Sequence, residues 1–357
     1  MKDLFKNINV VELAGVLAGP SVGVFFSELG AKVIKIENPK TGGDVTRSWK
    51  LPNENKNEKS SAYYWSVNTG KEILFLDITK ESDLKKLYSL IKKADIIITN
   101  YKKGDDKKLK VDYPTLKKLN SKLIYASING FGEKSKRTAY DLILQAESGF
   151  MFMNGEPHSK PLKMPVALID VLAGHQLKEA ILIALMKRAK TKKGCHISVS
   201  LFDSAIASLV NQATNWLVAG HSPVAMGSKH PNIAPYGEIF ITNDEQQITF
   251  AIGSNKQFEK LVEILDLKYL IMDERFLSNQ NRILNREELF LILETAVKKT
   301  DFNSLYKGCL ENDIPIGKIR SLKEVFELPE AKSKIKKFKD SGKNKKAVNS
   351  IAFKFLS

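Results

Sequence analysis

The residues able to do chemistry in this chain are carboxylates rather than thiols, imidazoles or phosphate-cradling glycines. The five histidines, His158, His175, His196, His221 and His230, have no metal-ligand spacing. The two cysteines, Cys195 and Cys309, make neither a CxxC pair nor a disulfide framework, so no metal site is expected. Phosphate loops of the GxxxxGK[ST] type, HExxH and GxSxG are all missing. The first turn, Gly15-Val16-Leu17-Ala18-Gly19-Pro20, lacks the GxGxxG fingerprint of nicotinamide enzymes, and Glu37 is the best candidate for a ribose-binding acid. What remains is Asp170, set in Met164-Pro165-Val166-Ala167-Leu168-Ile169-Asp170-Val171-Leu172-Ala173-Gly174. There it can cap a helix, which the macrodipole favours, or stand at the C-terminal edge of a strand where open α/β sheets hold ligands.

The elements needed to present it are legible in the first third of the chain. Short β-rich runs alternate with helical patterns, the sequence form of βαβ units and a mainly parallel sheet. Strands are expected at Asn9 to Leu13, Lys32 to Ile36, Glu72 to Asp77, Asp95 to Thr99 and Lys122 to Ile128. Pro20 is placed to open a helix that stops at Gly30, and another helix is expected from Glu81 to Lys93. The run Met164 to Ile169 reads as strand-like; from Val171 the spacing is helical through Arg188. A strand around His196 to Val199 and a long helix from Leu201 to about Ala219 follow. Beyond Pro235 come a hairpin, Glu238 to Thr242 with Gln247 to Ile252, and several short helices. Residues 331–346 are Lys-rich and read as exposed, whereas Val348 to Phe353 is apolar enough to dock. The expected fold is α/β, a Rossmann-like doubly wound large domain over 1–220, with a smaller α+β domain over 221–329 and residues 330–357 returning to the large one.

Composition narrows the partners. The 357 residues are 43% hydrophobic and 27% charged, the profile of a globular protein. The net charge of +16 invites a polyanion, but only seven of the 56 basic residues are Arg, and nucleic-acid readers cluster Arg for bidentate contacts. A solvated lysine surface with an anionic small-molecule substrate fits better than nucleic acid. The longest uncharged N-terminal run, Leu13 to Ser27, is shorter than the ~20 residues a spanning helix needs and carries three glycines. Neither a membrane span nor a secretory signal is expected, and the two unpaired thiols point to the cytoplasm.

Many spaced segments resemble one family. They are Val11-Glu12-Leu13 with Ala18-Gly19-Pro20, Leu29 to Glu37, Gly43-Asp44 with Arg47, Asn68 with Lys71, and Asn129-Gly130-Phe131-Gly132. Tyr140-Asp141, Asp170 with Ala173-Gly174, Gly194 before Ile197 to Ser200, and His230 to Tyr236 continue the series in order. Over residues ~8 to ~330 the chain resembles the class III CoA-transferases, whose fold is shared by alpha-methylacyl-CoA racemases. The resemblance implies an interlocked homodimer and an enzyme that exchanges CoA between an acyl-CoA and a small free carboxylic acid. It needs no tightly bound cofactor, and CoA enters as substrate.

By the same resemblance Asp170 is the catalytic aspartate, acylated during turnover. Val16, Leu17, Lys40, Lys71, Asn100, Tyr101, Lys107 and Lys108 fall at CoA-binding positions, and Tyr140, Asp141, Gly227 and His230 at substrate-positioning ones. Lys suits phosphate as a mobile point charge, and Tyr101 suits adenine or pantetheine. Two positions depart from some relatives: Leu17 stands where a Gln precedes the Ala-Gly-Pro turn, and Met226-Gly227-Ser228-Lys229 replaces a run of glycines. A racemase is the alternative enzyme, and a non-catalytic CoA-binding protein the second alternative. The racemases use a His–Asp pair where this chain has Tyr140-Asp141, and an unperturbed Tyr near pKa ~10 is a poor base at neutral pH.

Overall fold

The computed structural model describes residues 3–340 and 342–356. Six strands form one parallel sheet: β1 (Asn9–Glu12), β2 (Lys32–Glu37), β3 (Glu72–Phe75), β4 (Ile96–Thr99), β5 (Ile124–Asn129) and β6 (Cys195–Ser200). Their spatial order is β3-β2-β1-β4-β5-β6. Chain direction across the sheet therefore reverses between β1 and β4, the point where open sheets of this kind leave a crevice.

The sheet forms because its strands are β-branched runs that bury both faces. In β4, Ile-Ile-Ile-Thr is buried throughout, as a central parallel strand covered by helices must be. The period of two sends Ile96 and Ile98 to one face, where they pack with Val22, Phe26, Ala173 and Leu177. Ile97 goes to the other, with Leu87, Ile91 and Leu116.

The first face is covered by helices Ala18–Glu28 and Leu168–Thr191. Pro20 lies in the first turn of the former, where its missing N–H costs nothing, and Gly30 follows the helix with φ 97°. The two helices touch at Gly174, where a Cβ would come within 2.4 Å of Ser21 Oγ and 3.3 Å of the Ala18 carbonyl. Gly174 lies one turn after Asp170, so this close approach sets how far Asp170 stands from the start of the first helix.

Two expectations need correction, and a third gains structure while most of its lysines stay exposed. The run Met164 to Ile169 is no strand: residues 164–167 are loop and the helix begins at Leu168, because these apolar residues line the approach to a helix rather than a sheet. The long helix after Leu201 is two helices, Leu201–Ala207 and Val210–Ala219. Ser204 and Ser208 return their hydroxyls to carbonyls one turn back (2.7 and 2.8 Å), which bends helices, and Val210 has φ 42°. The Lys-rich tail is an antiparallel hairpin, β10 (Ile335–Asp340) with β11 (Lys343–Val348). Phe338 packs on Trp65 with ring centroids 5.1 Å apart, Lys345 bonds Asp340 at 2.9 Å, and Lys336 pairs with Glu28. Of the apolar 348–353 stretch, Ile351 packs on the core while Val348 and Phe353 stay exposed.

The described residues divide into two compact units, one of 3–152, 162–223 and 333–356, the other of Met153–Pro161 and Val224–Lys332. In the second, β7 (Tyr236–Ile241), β8 (Gln247–Ala251) and β9 (Ile316–Lys318) make an antiparallel sheet in the order β7-β8-β9. Its core is Phe240, Phe250, Phe258, Leu261, Phe276 and Leu293. Among the described residues, no helix is long and apolar enough to cross a membrane.

Candidate active site

A cleft of about 550 Å³ opens beyond the C-terminal ends of β1, β4 and β5. Its wall comes from the loop after β1 (Gly15 to Ala18), the segment after β4 (Asn100 to Gly104) and the segment after β5 (Asn129 to Tyr140). Asp170 completes it.

Asp170 is in the first turn of the Leu168–Thr191 helix, with Ala167 at the N-cap position and no side-chain cap of its own. Asp141, from another helix, supplies the missing acceptor: its Oδ1 accepts from the N–H groups of Ile169 (2.7 Å) and Asp170 (3.4 Å). Its Oδ2 accepts from Gln145 Nε2 at 2.6 Å. Asp170 is therefore not the helix cap, and its carboxylate is left to face the cleft, 7% exposed. Burial, and after it the negative charge of Asp141, push its pKa up to about 7.

The loop opposite is held under tension. Val16 has φ 69°, a left-handed conformation that a β-branched residue adopts only when its surroundings enforce it, at a cost of about 1–3 kcal/mol. Asn100 grips Gly15 through both its amide atoms (3.1 and 2.9 Å), and the Val16 N–H donates to the Asp44 carboxylate, 3.2 Å to Oδ2. Asn100 thus lines the cleft but spends its amide on the loop.

The motif residues Glu12, Lys35, Asp44, Asn68 and Lys71 meet in a buried ionic network. Lys35 Nζ is 3.0 Å from both Glu12 and Asp44 and donates to the Ala14 carbonyl at 2.6 Å. Burial opposes the charge on Lys35, but Glu12 and Asp44 outweigh it and raise its pKa; burial likewise opposes Asp44, whose pKa Lys35 and Thr46 bring down. Lys71 lies 2.8 Å from Glu12 and donates to Pro20 O and Asn68 Oδ1. Beside it Arg47 bonds Glu37 at 2.6 and 3.0 Å, and Tyr64 donates to Glu37 at 2.7 Å.

Of the residues singled out from sequence, Val16, Leu17, Asn100, Tyr101, Lys107, Tyr140 and Asp170 line the cleft. Lys71 does not, because its ammonium is enclosed by Glu12, Pro20 and Asn68 and has no donor left for a phosphate. Lys40 also lies outside the lining and pairs with Asp77 at 2.9 Å; Lys108 is outside it too, paired with Asp105 at 3.1 Å. Gly227 and His230 belong to the second unit. There Gly227 has φ 67° and donates to the Gly155 carbonyl, and His230 Nδ1 accepts from the Asn232 N–H at 3.1 Å.

The cleft also holds residues that the sequence reading passed over. Lys102, Lys103, Lys136 and Arg137 bring positive charge, and Tyr113, Tyr125 and His196 an aromatic surface. The His196 ring lies 4.9 Å from that of Tyr125, with Nε2 3.0 Å from Ser127 Oγ. For the four basic residues the signal was position, since they follow β4 and β5 at the C-terminal edge of the sheet; Tyr125 and His196 sit instead near the starts of β5 and β6, and Tyr113 opens the helix Tyr113–Leu119. Among the described residues no cluster of His, Cys, Asp and Glu could hold a metal.

The family described as CoA-transferase family III matches residues 5–355. The chain is 38% identical to a succinate–glutarate CoA-transferase of Agrobacterium fabrum, over 93% of this chain and 84% of that protein. It is 34% identical to a succinyl-CoA:glutarate CoA-transferase of Mus musculus, over 91% and 74%. A crystal structure of a CaiB/BaiF family protein from Brucella suis is similar at 38% identity and TM-score 0.85, covering 99% of this chain and 93% of that one. By sequence over nearly its whole length and by its fold, this chain belongs to CoA-transferase family III, an enzyme family.

Proposed function

We propose that this transferase moves CoA between a dicarboxylyl-CoA, succinyl-CoA first among them, and a small free acid, with Asp170 as the covalent carrier. The observation that carries the reading is a buried, uncapped carboxylate facing a cleft whose other walls carry Lys102, Lys103, Lys107, Lys136 and Arg137. The activities for which the bacterial and mouse relatives are named support the choice of acids.

Ionised Asp170 attacks the thioester carbonyl carbon and CoA leaves as thiolate, giving a mixed acyl–aspartyl anhydride. The thiolate attacks the aspartyl carbonyl and expels the donor acid, leaving an aspartyl-CoA thioester. The acceptor carboxylate attacks that carbonyl and releases CoA thiolate again. Thiolate then attacks the acceptor acyl carbon, forming the new acyl-CoA and freeing Asp170. Each step conserves one activated acyl bond provided water is kept out. The lysines and Arg137 are suited to the CoA phosphates, and the surface of Tyr101, Tyr113 and His196 to adenine.

Labelled glutarate should enter the acyl-CoA pool from succinyl-CoA with ping-pong kinetics, and hydroxylamine added during turnover should mark Asp170. The α-protons should remain unexchanged in heavy water; rapid α-deuteration without acid exchange would favour the racemase and overturn the reading.

Because attack requires the ionised form, kcat/KM should rise with pH through about 7 and level off above it. Asp141→Asn removes the second cause of the raised pKa and should move that midpoint to lower pH. A midpoint that does not move would detach the pH dependence from Asp170.

The reading includes a homodimer. Ile183 and Met186 on the Leu168–Thr191 helix, and Trp216, Leu217 and Val218 on the Val210–Ala219 helix, are all more than half exposed, apolar surface that a second copy would cover. Sedimentation at twice the chain mass is expected, and a stable monomer at micromolar protein would refute it.

A further inference from the structure

We infer that Asp44 is a positioning residue for the transfer reaction: clamped by Lys35 and Thr46, it holds Val16 in the left-handed conformation that keeps residues 16–18 as the cleft wall beside Asp170. The inference goes beyond the role proposed for Asp170 and needs only the family's transfer activity as its readout.

Three side chains, the buried Lys35 and Asp44 and the half-buried Asn100, grip three successive residues. Lys35 takes the Ala14 carbonyl at 2.6 Å, Asn100 takes both backbone groups of Gly15, and Asp44 takes the Val16 N–H. Immediately afterwards the chain enters the Ala18–Glu28 helix, so the peptide orientation at Val16 decides where Leu17 and Ala18 stand in the cleft. Glycine would take this conformation freely, but valine takes it only while held.

The hold is built to be firm. The Asp44 side chain is 1% exposed, its Oδ2 lies 3.0 Å from Lys35, and its Oδ1 accepts from Thr46 N–H and Oγ1 at 3.0 and 2.8 Å. Lys35 is anchored in turn by Glu12, which Lys71 also bonds. Asp44 also caps the short 3-10 turn Val45–Ser48, a purely structural duty that a test must separate from positioning.

A double-mutant cycle on the full chain separates them, using the acyl-CoA and acid pair that the unaltered enzyme turns over. Asp44→Asn should lower kcat by about tenfold to a hundredfold while KM moves by less than about threefold, the signature of misplaced reacting groups. In a Val16→Gly background, where the left-handed turn needs no restraint, the same change should lower kcat by less than about threefold further. Should Asp44→Asn not fold, Thr46→Val removes the 2.8 Å hydroxyl bond to Asp44 and should give a smaller loss of kcat, again suppressed by Val16→Gly. Equal losses in both backgrounds, or a lowered Tm with kcat per folded molecule unchanged, would overturn the inference. Because the cycle compares ratios, its outcome stands apart from whether Asp170→Asn loses activity.

Discussion

Asp170→Asn is expected to lower transfer by at least about a thousandfold while the protein folds and still binds CoA. The amide keeps the shape of the carboxylate but cannot attack a thioester, and removing a covalent nucleophile typically costs this much or more. The fold should tolerate the change because Asp170 does not cap its helix: the backbone N–H of residue 170 is already met by Asp141, and no partner of the Asp170 carboxylate is lost. Relieving a buried, partly neutralised acid should if anything leave stability unchanged or slightly raised near neutral pH, where its pKa lies above the unfolded value. Equilibrium binding of CoA and the initial rate of labelled acid exchange measure the two halves separately. Full exchange in the Asn variant would remove Asp170 from the chemistry.

The second large effect is on stability. Glu12→Gln should cost about 3–5 kcal/mol near pH 6, because it takes the shared anion from the buried Lys35 ammonium and from Lys71, whose pKa burial already pulls down to about 7. Glu12 is fully buried, Lys71 lies 2.8 Å from one of its oxygens and Lys35 3.0 Å from the other. Lys35 would keep Asp44, but Lys71 would keep only the neutral acceptors Pro20 O and Asn68 Oδ1. Adding Lys71→Met should therefore recover part of the loss, since the remaining Lys35–Asp44 pair is balanced. Denaturant midpoints of the single and double variants decide the matter. A double variant less stable than Glu12→Gln alone would show that Lys71 contributes by packing rather than by charge.

The sheet was legible because its strands are short β-branched runs separated by helical patterns, and each of the first five expected strands overlaps one that forms. Asp170 was legible as a carboxylate in an apolar setting, although the run before it misled: Met164 to Ile169 has no period that tells strand from the approach to a helix. Charge was harder to read. Lys71 and Lys102 are alike in sequence, yet one is enclosed by Glu12 and the other lines the cleft, a difference made by residues far away along the chain. The terminal hairpin was hidden for a related reason. Its lysines looked like a solvated tail, but Lys336 and Lys345 meet Glu28 and Glu58, partners roughly three hundred residues earlier. The cap on the Asp170 helix was equally invisible, because Asp141 reaches it from another element.

The discontinuous first unit also bears on how the protein is made. Its sheet and the Asp170 helix are complete by residue 223, but the hairpin that pairs with Glu28 and Glu58 is translated only after the whole of Val224–Lys332. At roughly 5–20 residues per second, the ribosome takes on the order of ten seconds to cover that interval. During it the completed six-stranded sheet must stand without the hairpin that packs on Trp65, while Phe240, Phe250 and the rest of the second core are already out and able to close on themselves. Synthesis order thus favours a folding sequence in which the inserted unit sets before the unit that carries Asp170 is finished.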